Sequence, residues 1–336
     1  MKFLEFLKES EAYSAEPNEY NWEKRYMEKL FSLQPDISPA TRLFSPKPVL
    51  AFITRNSHLK MQKAPVSLKN VLNSTLQIPY THIILVDDST DETQKVFHEW
   101  CEAHEKDLLV SNSKTYGYDK ATRATARQTA IDIFLENFSH KWILFIDDDV
   151  VLNSGWWSET EEHLENPKIG LVWGLNFDAY PDSHTYLKTL GIDYVGHMIS
   201  EFYRRGGMHD TLLRREAIED IKIPPDLHVF EDWYVLQHVQ KKGYDTAIIK
   251  AGVTHYNPDW NYSRTQLWEM AHLAKKYGVE PSTLSYRIYR FARSMTSIVP
   301  TAYASIKSFG VKKGISRAFQ RWRVKVLYRA FMLLGS

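Results

Sequence analysis

Cysteine, long apolar runs and net charge are all scarce in this sequence. Cys101 is the single cysteine among 336 residues, so an internal disulfide is excluded and a reducing compartment is favoured. No run of about 18 apolar residues occurs, so no membrane-spanning helix is expected. The opening MKFLEFLKE is interrupted by charges too often for a secretory signal peptide. The net charge of +1 gives no global field favouring nucleic acid, which we do not expect as a partner.

The charges that are present are distributed unevenly. Residues 281–336 contain eleven Lys or Arg and no Asp or Glu, which leaves about −10 for residues 1–280. The overall contents of 43% hydrophobic and 25% charged residues are those of an ordinary globular protein. The two parts of the chain are therefore expected to face different partners.

Short apolar runs alternate with segments of helical periodicity. We predict strands at 49–54, 82–86, 108–111, 142–146, 170–175 and 247–250, of which 49–54, 82–86 and 142–146 are expected to be buried. The segment 252–257 is predicted to follow the last strand as a loop. Helices are predicted at 122–138 and from 230–233 to about 243, where Gly243 suits a helix C-terminus. Such alternation is typical of an α/β fold whose sheet is mostly parallel and flanked by helices.

The most informative segment is the strand 142–146, which runs directly into Asp147, Asp148 and Asp149. Three ionised carboxylates cannot be core residues unless they are paired or bound to a metal. We therefore expect them at the carboxyl end of a strand, where open α/β sheets bind ligands, and we expect them to bind a divalent cation that itself holds phosphate. An acidic turn capping the next helix is the alternative.

Five motifs in order resemble the GT-A-fold glycosyltransferases of family two, whose members are mostly inverting. They are Thr54-Arg55-Asn56, Val86-Asp87-Asp88-Ser89-Thr90-Asp91, Ala126-Arg127-Gln128, Asp147-Asp148-Asp149, and Glu231-Asp232-Trp233 before Lys241-Lys242-Gly243-Tyr244. The resemblance covers about residues 48–260. It departs from the family where Ser89 follows Asp88 directly, without the usual glycine, and where Gln128 replaces the common asparagine.

The resemblance implies a role for each matching residue. Thr54, Asn56 and Asp88 would lie against the nucleotide, and Arg127 near the diphosphate or against the acidic loop. Asp147 and Asp149 would be the acids of the Asp-x-Asp motif on Mn²⁺ or Mg²⁺, and Asp148 would also contribute to the donor site. His255 resembles a histidine that some GT-A enzymes place on the metal, which favours Mn²⁺.

The same resemblance makes Asp232 the general base and Glu231 its orienting neighbour. Trp173, Trp233 and Tyr180 are candidates for stacking on the sugar or the nucleotide. Structural alternatives remain open: Asp88 as a helix N-cap, Glu231 and Asp232 as first-turn acids, His255 as a structural histidine, Arg127 as a surface residue, and the two tryptophans as core.

The basic C-terminal region suggests a membrane partner. Residues 284–334 alternate apolar residues with Arg and Lys, as in amphipathic helices that lie on anionic membranes. Neutralisation of acidic residues within the chain is the alternative. We expect a cytoplasmic protein, peripheral on the inner face of the membrane, whose acceptor is a glycan or a lipid-linked molecule.

The sequence thus predicts three regions: a helical N-terminal extension (1–46), a glycosyltransferase domain (47–265, with a nucleotide-binding half 47–150 and an acceptor half 151–265) and a basic helical tail (266–336). The predicted activity is metal-dependent transfer of a sugar from a nucleotide diphosphate sugar to a hydroxyl, with inversion. A nucleotidyltransferase and a non-catalytic scaffold of the same fold are the alternatives.

Overall fold

Eight strands pair into one mixed sheet in the part of the chain that the computed structural model describes, residues 47–179, 182–256, 262–281 and 283–334. The predicted N-terminal helical extension and Tyr180 lie outside the described residues. The strand order is β3-β2-β1-β4-β7-β6-β8-β5. This agrees with the predicted α/β class, and the helices described below flank the sheet.

The first four strands form a parallel block. Their bounds are β1 Val49–Thr54, β2 His82–Asp87, β3 Asp107–Ser111 and β4 Trp142–Ile146. β1 lies between β2 and β4, and β3 pairs with the other side of β2. β1, β2 and β4 are mostly buried and mostly apolar, as in a parallel sheet covered on both faces, whereas β3 at the edge is only partly buried. The predicted strands are confirmed to within one residue at each end.

The other four strands introduce antiparallel pairs. They are β5 Val150–Leu152, β6 Ile169–Asp178, β7 Asp210–Arg214 and β8 Asp245–His255. β7 runs antiparallel to both β4 and β6, while β8 is parallel to β6 and antiparallel to β5. The predicted loop after β8 is wrong over Gly252–His255, because the strand continues through these residues. A register shift opposite Gly174–Asn176 and the positive φ of Gly252 (52°) let β8 bend without ending.

Helices cover the two faces of the sheet. The N-terminal ones are α1 Ser57–Met61, α2 Leu68–Ser74, α3 Thr93–Ala103, α4 Arg123–Asn137 and α5 Trp156–Leu164, with 3₁₀ turns at Thr75–Gln77 and Ser113–Tyr116. The next ones are α6 Asp182–Thr189, α7 Tyr194–Arg205, α8 Arg215–Ile218 and α9 Glu231–Lys241. The last four are α10 Arg264–Tyr277, α11 Leu284–Thr296, α12 Ile298–Phe309 and α13 Val311–Leu334.

The alternation of side chains along β1 separates two cores. Leu50 and Phe52 pack with residues of α2, α3 and α5, whereas Val49 and Ala51 pack with residues of α4, α7 and α9. Burying one such leucine or phenylalanine contributes about 1.5–3 kcal/mol, so β1 is anchored from both sides. This fixes the loop after Thr54, where the predicted donor site begins.

The C-terminal helices fold back onto the acceptor half of the domain. Met332 of α13 is buried with Leu267 and Met270 of α10 and with Phe230, the residue before α9. The helical tail is thus confirmed, but its last helix is part of a core. None of the helices in the described ranges combines the length and the apolar character that crossing a bilayer requires.

Candidate active site

The three aspartates after β4 form a turn between β4 and β5. β5 pairs with β8 so that Val150 lies opposite His255, and the Tyr256 amide donates to the Asp149 carbonyl at 2.8 Å. This pairing brings the His255 Nε2 atom to 3.1 Å from Asp149 Oδ1. The sheet register therefore joins two residues that are separated by more than one hundred positions in the chain.

Asp149 is held as a carboxylate by a hydrogen-bonding neighbour at each of its two oxygens. Its second oxygen, Oδ2, accepts a hydrogen bond from Lys60 Nζ at 2.7 Å. Burial alone would raise the pKa of Asp149, but the hydrogen bond from His255 and the charge of Lys60 outweigh it and hold that pKa below its usual range. Burial would lower the pKa of His255, yet its contact with Asp149 raises the pKa above the usual value.

Asp147 and Asp148 have different surroundings. Asp148 is buried and accepts hydrogen bonds from Ser57 Oγ and from Lys60 Nζ, the latter at 3.0 Å. Its burial raises the pKa above the ordinary value, and the charge of Lys60 opposes this. Asp147 instead accepts a hydrogen bond from Arg127 Nη2 at 3.2 Å. Asp148 and Asp149 thus share Lys60, whereas Asp147 pairs with Arg127.

Asp149 and His255 have the chemistry and spacing of metal ligands. Two ligands at right angles on a divalent cation, each about 2.1 Å away, are about 3 Å apart, close to the separation seen here. Within the described residues, no group of three or more acidic, histidine or cysteine side chains could hold a metal ion. Mg²⁺ and related cations commonly take one or two protein carboxylates and complete their shell with phosphate oxygens and water. The pair therefore fits a cation that arrives with a phosphate ligand.

Asn176 lies behind His255. The Asn176 Nδ2 atom is 3.2 Å from His255 Nδ1, and the Asn176 carbonyl accepts a hydrogen bond from the Tyr194 hydroxyl at 2.8 Å. An asparagine amide offers either its nitrogen or its oxygen to such a neighbour, and the buried side-chain oxygen of Asn176 has no hydrogen-bond partner among the residues that the structure describes. Asn176 is placed to control which ring nitrogen of His255 carries the proton.

Arg127 connects the acidic turn with α9. Its side chain is 2% exposed, and its Nη2 atom lies 3.2 Å from Asp147 and 3.6 Å from Asp232 Oδ1. Its Nε atom lies 3.6 Å from Glu231 Oε1. The alternative of a surface arginine is therefore wrong. Helix α4 fixes this position because Thr122 caps it in a capping box and ten of its residues are buried.

Several polar atoms of this cluster lack a hydrogen-bond partner among the described residues. They are Nε and Nη1 of Arg127, both carboxylate oxygens of Glu231, and Oδ1 of Asp232. Buried polar atoms are nearly always satisfied by protein, water or ligand. These atoms are thus available for hydrogen bonds to a polar ligand or to ordered water.

Of the two carboxylates at the start of α9, Asp232 is the accessible one. Its side chain is 27% exposed, against 1% for Glu231. Its largely buried position and the charge of Glu231 raise the pKa of Asp232 to about 7, although Arg127 opposes the shift. Asp232 lies in the first turn of α9, and Gly206 presses against its backbone from the end of α7.

The residues predicted to contact the nucleotide bind the loops after β1 and β2 to each other. The Thr54 hydroxyl donates to Asp87 Oδ1 at 2.6 Å. Asn56 has a left-handed backbone (φ 54°), and its side-chain oxygen accepts from the Thr90 amide at 2.8 Å. Asp88 accepts a hydrogen bond from the Ser113 hydroxyl at 2.8 Å. Asp88 does not cap the next helix, since α3 begins at Thr93 with Glu92 in the cap position.

Of the aromatic candidates, Trp173 is a core residue. It is 2% exposed, its ring stacks on Phe202 at 4.4 Å, and its indole nitrogen donates to His209. The prediction that Trp173 stacks on a ligand is wrong, because β6 places it on a covered face of the sheet. Trp233 is partly buried against the core of the C-terminal helices.

Sequence reasoning missed Lys60 and Asn176. Lys60 lies in the five-residue helix α1, and Asn176 lies on β6 at the register shift with β8. No local pattern marks either residue, because only the tertiary fold brings them to Asp149 and His255.

Comparisons with known proteins agree on the family and the fold. Residues 57–221 match the family model described as glycosyl transferase family 2. No curated protein sequence matches the chain. A mannosyltransferase from Pyrobaculum calidifontis, solved with GDP-mannose and Mn²⁺, is a structural neighbour with a TM-score of 0.51, 16% identity and coverage of 94% of this chain and 84% of its own.

Two further neighbours are more distant. Glucosyl-3-phosphoglycerate synthase from Mycobacterium tuberculosis has a TM-score of 0.47, 14% identity and coverage of 70% of this chain and 82% of its own. TarS residues 1–349 from S. aureus have a TM-score of 0.46, 14% identity and coverage of 85% and 90%. Residues 57–221, just under half of the chain, are thus similar to glycosyl transferase family 2, and the shared architecture agrees with the predicted GT-A fold.

Proposed function

We propose that this protein transfers a sugar from a nucleotide diphosphate sugar to an acceptor hydroxyl, with inversion at the anomeric carbon and with the help of a divalent cation. The observation that carries the proposal is the buried Arg127, which joins Asp147 of the acidic turn to Asp232 of α9. The Arg127 guanidinium thereby contacts both a carboxylate of the donor side, Asp147, and the candidate base, Asp232. The segment that contains them all except Asp232 matches the family 2 model.

Asp149 and His255 would hold the cation, Mn²⁺ or Mg²⁺, with Asp147 and Asp148 as further acids of the donor site. When bound, such a cation offsets the charge on the diphosphate leaving group. The imidazole ligand favours Mn²⁺ over Mg²⁺. With its side-chain oxygen turned to Nδ1, Asn176 would accept a hydrogen bond from the Nδ1 proton and leave Nε2 of His255 free to bind the cation.

Asp232 would act as the general base. The acceptor oxygen forms a bond to the anomeric carbon while the bond from that carbon to the diphosphate oxygen breaks. The acceptor proton passes to the Asp232 carboxylate, and the bond electrons leave with the diphosphate. A pKa of about 7 suits a base near neutral pH. Glu231, which is almost fully buried, would orient Arg127 rather than contact the acceptor.

The nucleotide would lie against the joined loops after β1 and β2. Asp88 would accept hydrogen bonds from the base, and Thr54 and Asn56 would shape the same surface through their contacts with Asp87 and Thr90. Arg127 would lie near the diphosphate. The loop after β1 continues into α1 instead of forming a glycine-rich phosphate loop, which disfavours the nucleotidyltransferase alternative.

A thermal-shift experiment tests the donor site. Ligands that bind only the folded protein raise its melting temperature by mass action. We expect one of the nucleoside diphosphates, such as GDP or UDP, to raise the melting temperature of the wild type only when Mn²⁺ is present. Asp149→Ala should lose this Mn²⁺-dependent increase. No shift with any nucleotide would contradict the proposal. Mn²⁺-dependent hydrolysis of the matching donor sugar would then separate an enzyme from a non-catalytic scaffold.

The acceptor is proposed to be a glycan or a lipid-linked molecule. A cleft of about 500 Å³, lined by Phe177, Lys188 and residues 191–195, adjoins the Asn176 support of His255. The helix α6, which contributes Lys188 to this cleft, also contacts a C-terminal helix, since Thr189 hydrogen bonds to Ser308 of α12 at 2.8 Å. An acceptor delivered from a membrane at these helices would arrive next to the donor site.

We propose that the helices α11–α13 place the protein on the anionic inner face of a membrane. One face of α11 exposes Leu284, Ile288, Ala292 and Met295 at helical spacing, with Ile288 50% and Leu284 63% exposed. Val311, Ile315 and Phe319 are similarly exposed on α13. Exposed Lys and Arg accompany them, and each cation adds about 1 kcal/mol at an anionic surface. Arg329, by contrast, is buried against Glu280 and serves the fold.

Flotation with phosphatidylglycerol vesicles tests this surface in the full chain. The wild type is expected to float with these vesicles and not with neutral phosphatidylcholine, and Ile288→Glu should float less. Leu76→Glu is the matched control, since Leu76 is 46% exposed on the distant 3₁₀ turn after α2. Equal flotation of wild type and Ile288→Glu, or none at all, would refute the membrane partner.

A further inference from the structure

Lys60 occupies the space between two of the three aspartates. Its Nζ atom lies 2.7 Å from Asp149 Oδ2 and 3.0 Å from Asp148 Oδ1. The side chain is 37% exposed, whereas those of Asp148 and Asp149 are 11% and 5% exposed. A flexible cation that reaches solvent thus sits on two buried anions.

A lysine side chain is a cation at neutral pH, so Lys60 places a positive charge between Asp148 and Asp149. Asp149 consequently has His255 on one oxygen and Lys60 on the other. A divalent cation bound by Asp149 and His255 would lie beside the Lys60 charge, so the two cations oppose each other.

Asp148 does not depend on Lys60 alone. It also accepts a hydrogen bond from Ser57 Oγ, one turn earlier on α1. Asp148 therefore keeps a partner if the ammonium moves. The long, partly exposed lysine stem can swing without disturbing the short helix, whose residues Ser57 and Met61 are buried.

We propose that Lys60 is a positioning residue that couples metal binding to donor binding. In the donor-free protein its ammonium neutralises Asp148 and Asp149 and opposes the divalent cation. When the donor and the cation bind together, the ammonium leaves Asp149 and pairs with the donor diphosphate. The inference rests on the proposed function, because it assumes a diphosphate donor with a cation on Asp149 and His255.

The test is the affinity for Mn²⁺, measured by the electron paramagnetic resonance signal of free Mn²⁺, without nucleotide and with GDP or UDP. A neighbouring charge at such distances changes the ionisation of an acid by about one to three decades, so we expect Lys60→Met to bind Mn²⁺ alone about tenfold more tightly than the wild type. The nucleoside diphosphate should increase the affinity for Mn²⁺ less in Lys60→Met than in the wild type, because the variant lacks the ammonium group that would pair with the diphosphate.

Two further variants make the result specific. Lys60→Arg keeps the charge and should keep weak binding of Mn²⁺ alone. Lys63→Met removes one exposed lysine from the same segment and should behave as the wild type, which controls for the loss of net charge. Melting temperatures of all variants in the absence of Mn²⁺ show that each is folded.

The outcomes separate the two proposals. If Mn²⁺ binds the wild type with nucleotide, but Lys60→Met binds Mn²⁺ alone no more tightly than the wild type, the role of Lys60 is refuted and the donor site stands. If Mn²⁺ binds no variant with any nucleotide, the proposed function itself fails, and the role of Lys60 with it.

Discussion

Replacing Asp232 by asparagine tests the proposed base with almost no change in shape. A positioned general base contributes about 10²–10⁴-fold to a rate, so kcat should fall by at least about a hundredfold. Asp232 does not contact Asp149 or His255 in the described contacts, and the Mn²⁺-dependent thermal shift by nucleotide should therefore be kept. The assay is release of nucleoside diphosphate from the donor in the presence of acceptor.

The pH dependence of the same pair gives a second readout. A base works when deprotonated, so with a pKa of about 7 the wild-type kcat/KM should rise with pH and level off above about pH 7. One unit below this pKa only about a tenth of the carboxyl is ionised, which predicts about a tenfold lower rate near pH 6. Asp232→Asn should lose this limb of the profile.

Stability should change in the opposite direction from activity. Because the pKa of Asp232 rises from 3.8 to about 7 on folding, the folded state retains a proton that the unfolded state releases. The free energy of unfolding therefore decreases as pH rises between those two values. Each unit of pKa corresponds to about 1.4 kcal/mol, and the 27% exposure of the side chain reduces the effect to at most a few kcal/mol.

Asp232→Asn should accordingly melt higher than the wild type at pH 8, with the difference disappearing near pH 4, where the wild-type carboxyl is also neutral. Such a gain is expected where a site is kept strained for its function. A variant that retains a wild-type rate and the wild-type pH profile would refute Asp232 as the base, even if its stability rises as expected.

Two other changes probe the frame of the site. Arg127→Met removes the buried cation from among three carboxylates. Breaking such a buried ion pair should lower the free energy of unfolding by about 3–5 kcal/mol, measured by urea denaturation. An unchanged denaturation midpoint would contradict the bridging role of Arg127. Gly206→Ala places a Cβ 2.5 Å from the Trp233 amide nitrogen at a φ of 75°, so both the melting temperature and kcat should fall. Gly243→Ala is the control, because Gly243 also has a positive φ but has open space around it, and this variant should lower the melting temperature alone.

The parallel half of the sheet could be predicted because local pattern decides it. β1 and β4 are buried on both faces, and their unbroken apolar runs leave no other stable arrangement. Thr122 marks the start of α4 by its own capping chemistry. The positions of the acidic turn and of the first turn of α9 followed from these elements.

The second half was less predictable because its elements depend on distant partners. β5 has three residues and exists only because it pairs with the end of β8. The end of β8 in turn contains Gly252, whose sequence context is that of a loop. Trp173 was misassigned for a related reason: an aromatic residue near polar ones suits a pocket or a core equally well until its strand is placed.

His255 shows why site residues are harder to predict than strands. Its type suggested a ligand, but the predicted loop would have left its position free. The pairing of Val150 with His255 fixes the position of His255. The register shift between β6 and β8 then brings the Asn176 side chain behind the His255 ring. Lys60 reaches the same point from the other side of the acidic turn through an unremarkable five-residue helix. Four separate chain segments thus bring together two carboxylates, an imidazole, an amide and an ammonium group. The balance of charge among these groups depends on strand register and on packing, and no single stretch of sequence encodes either of these.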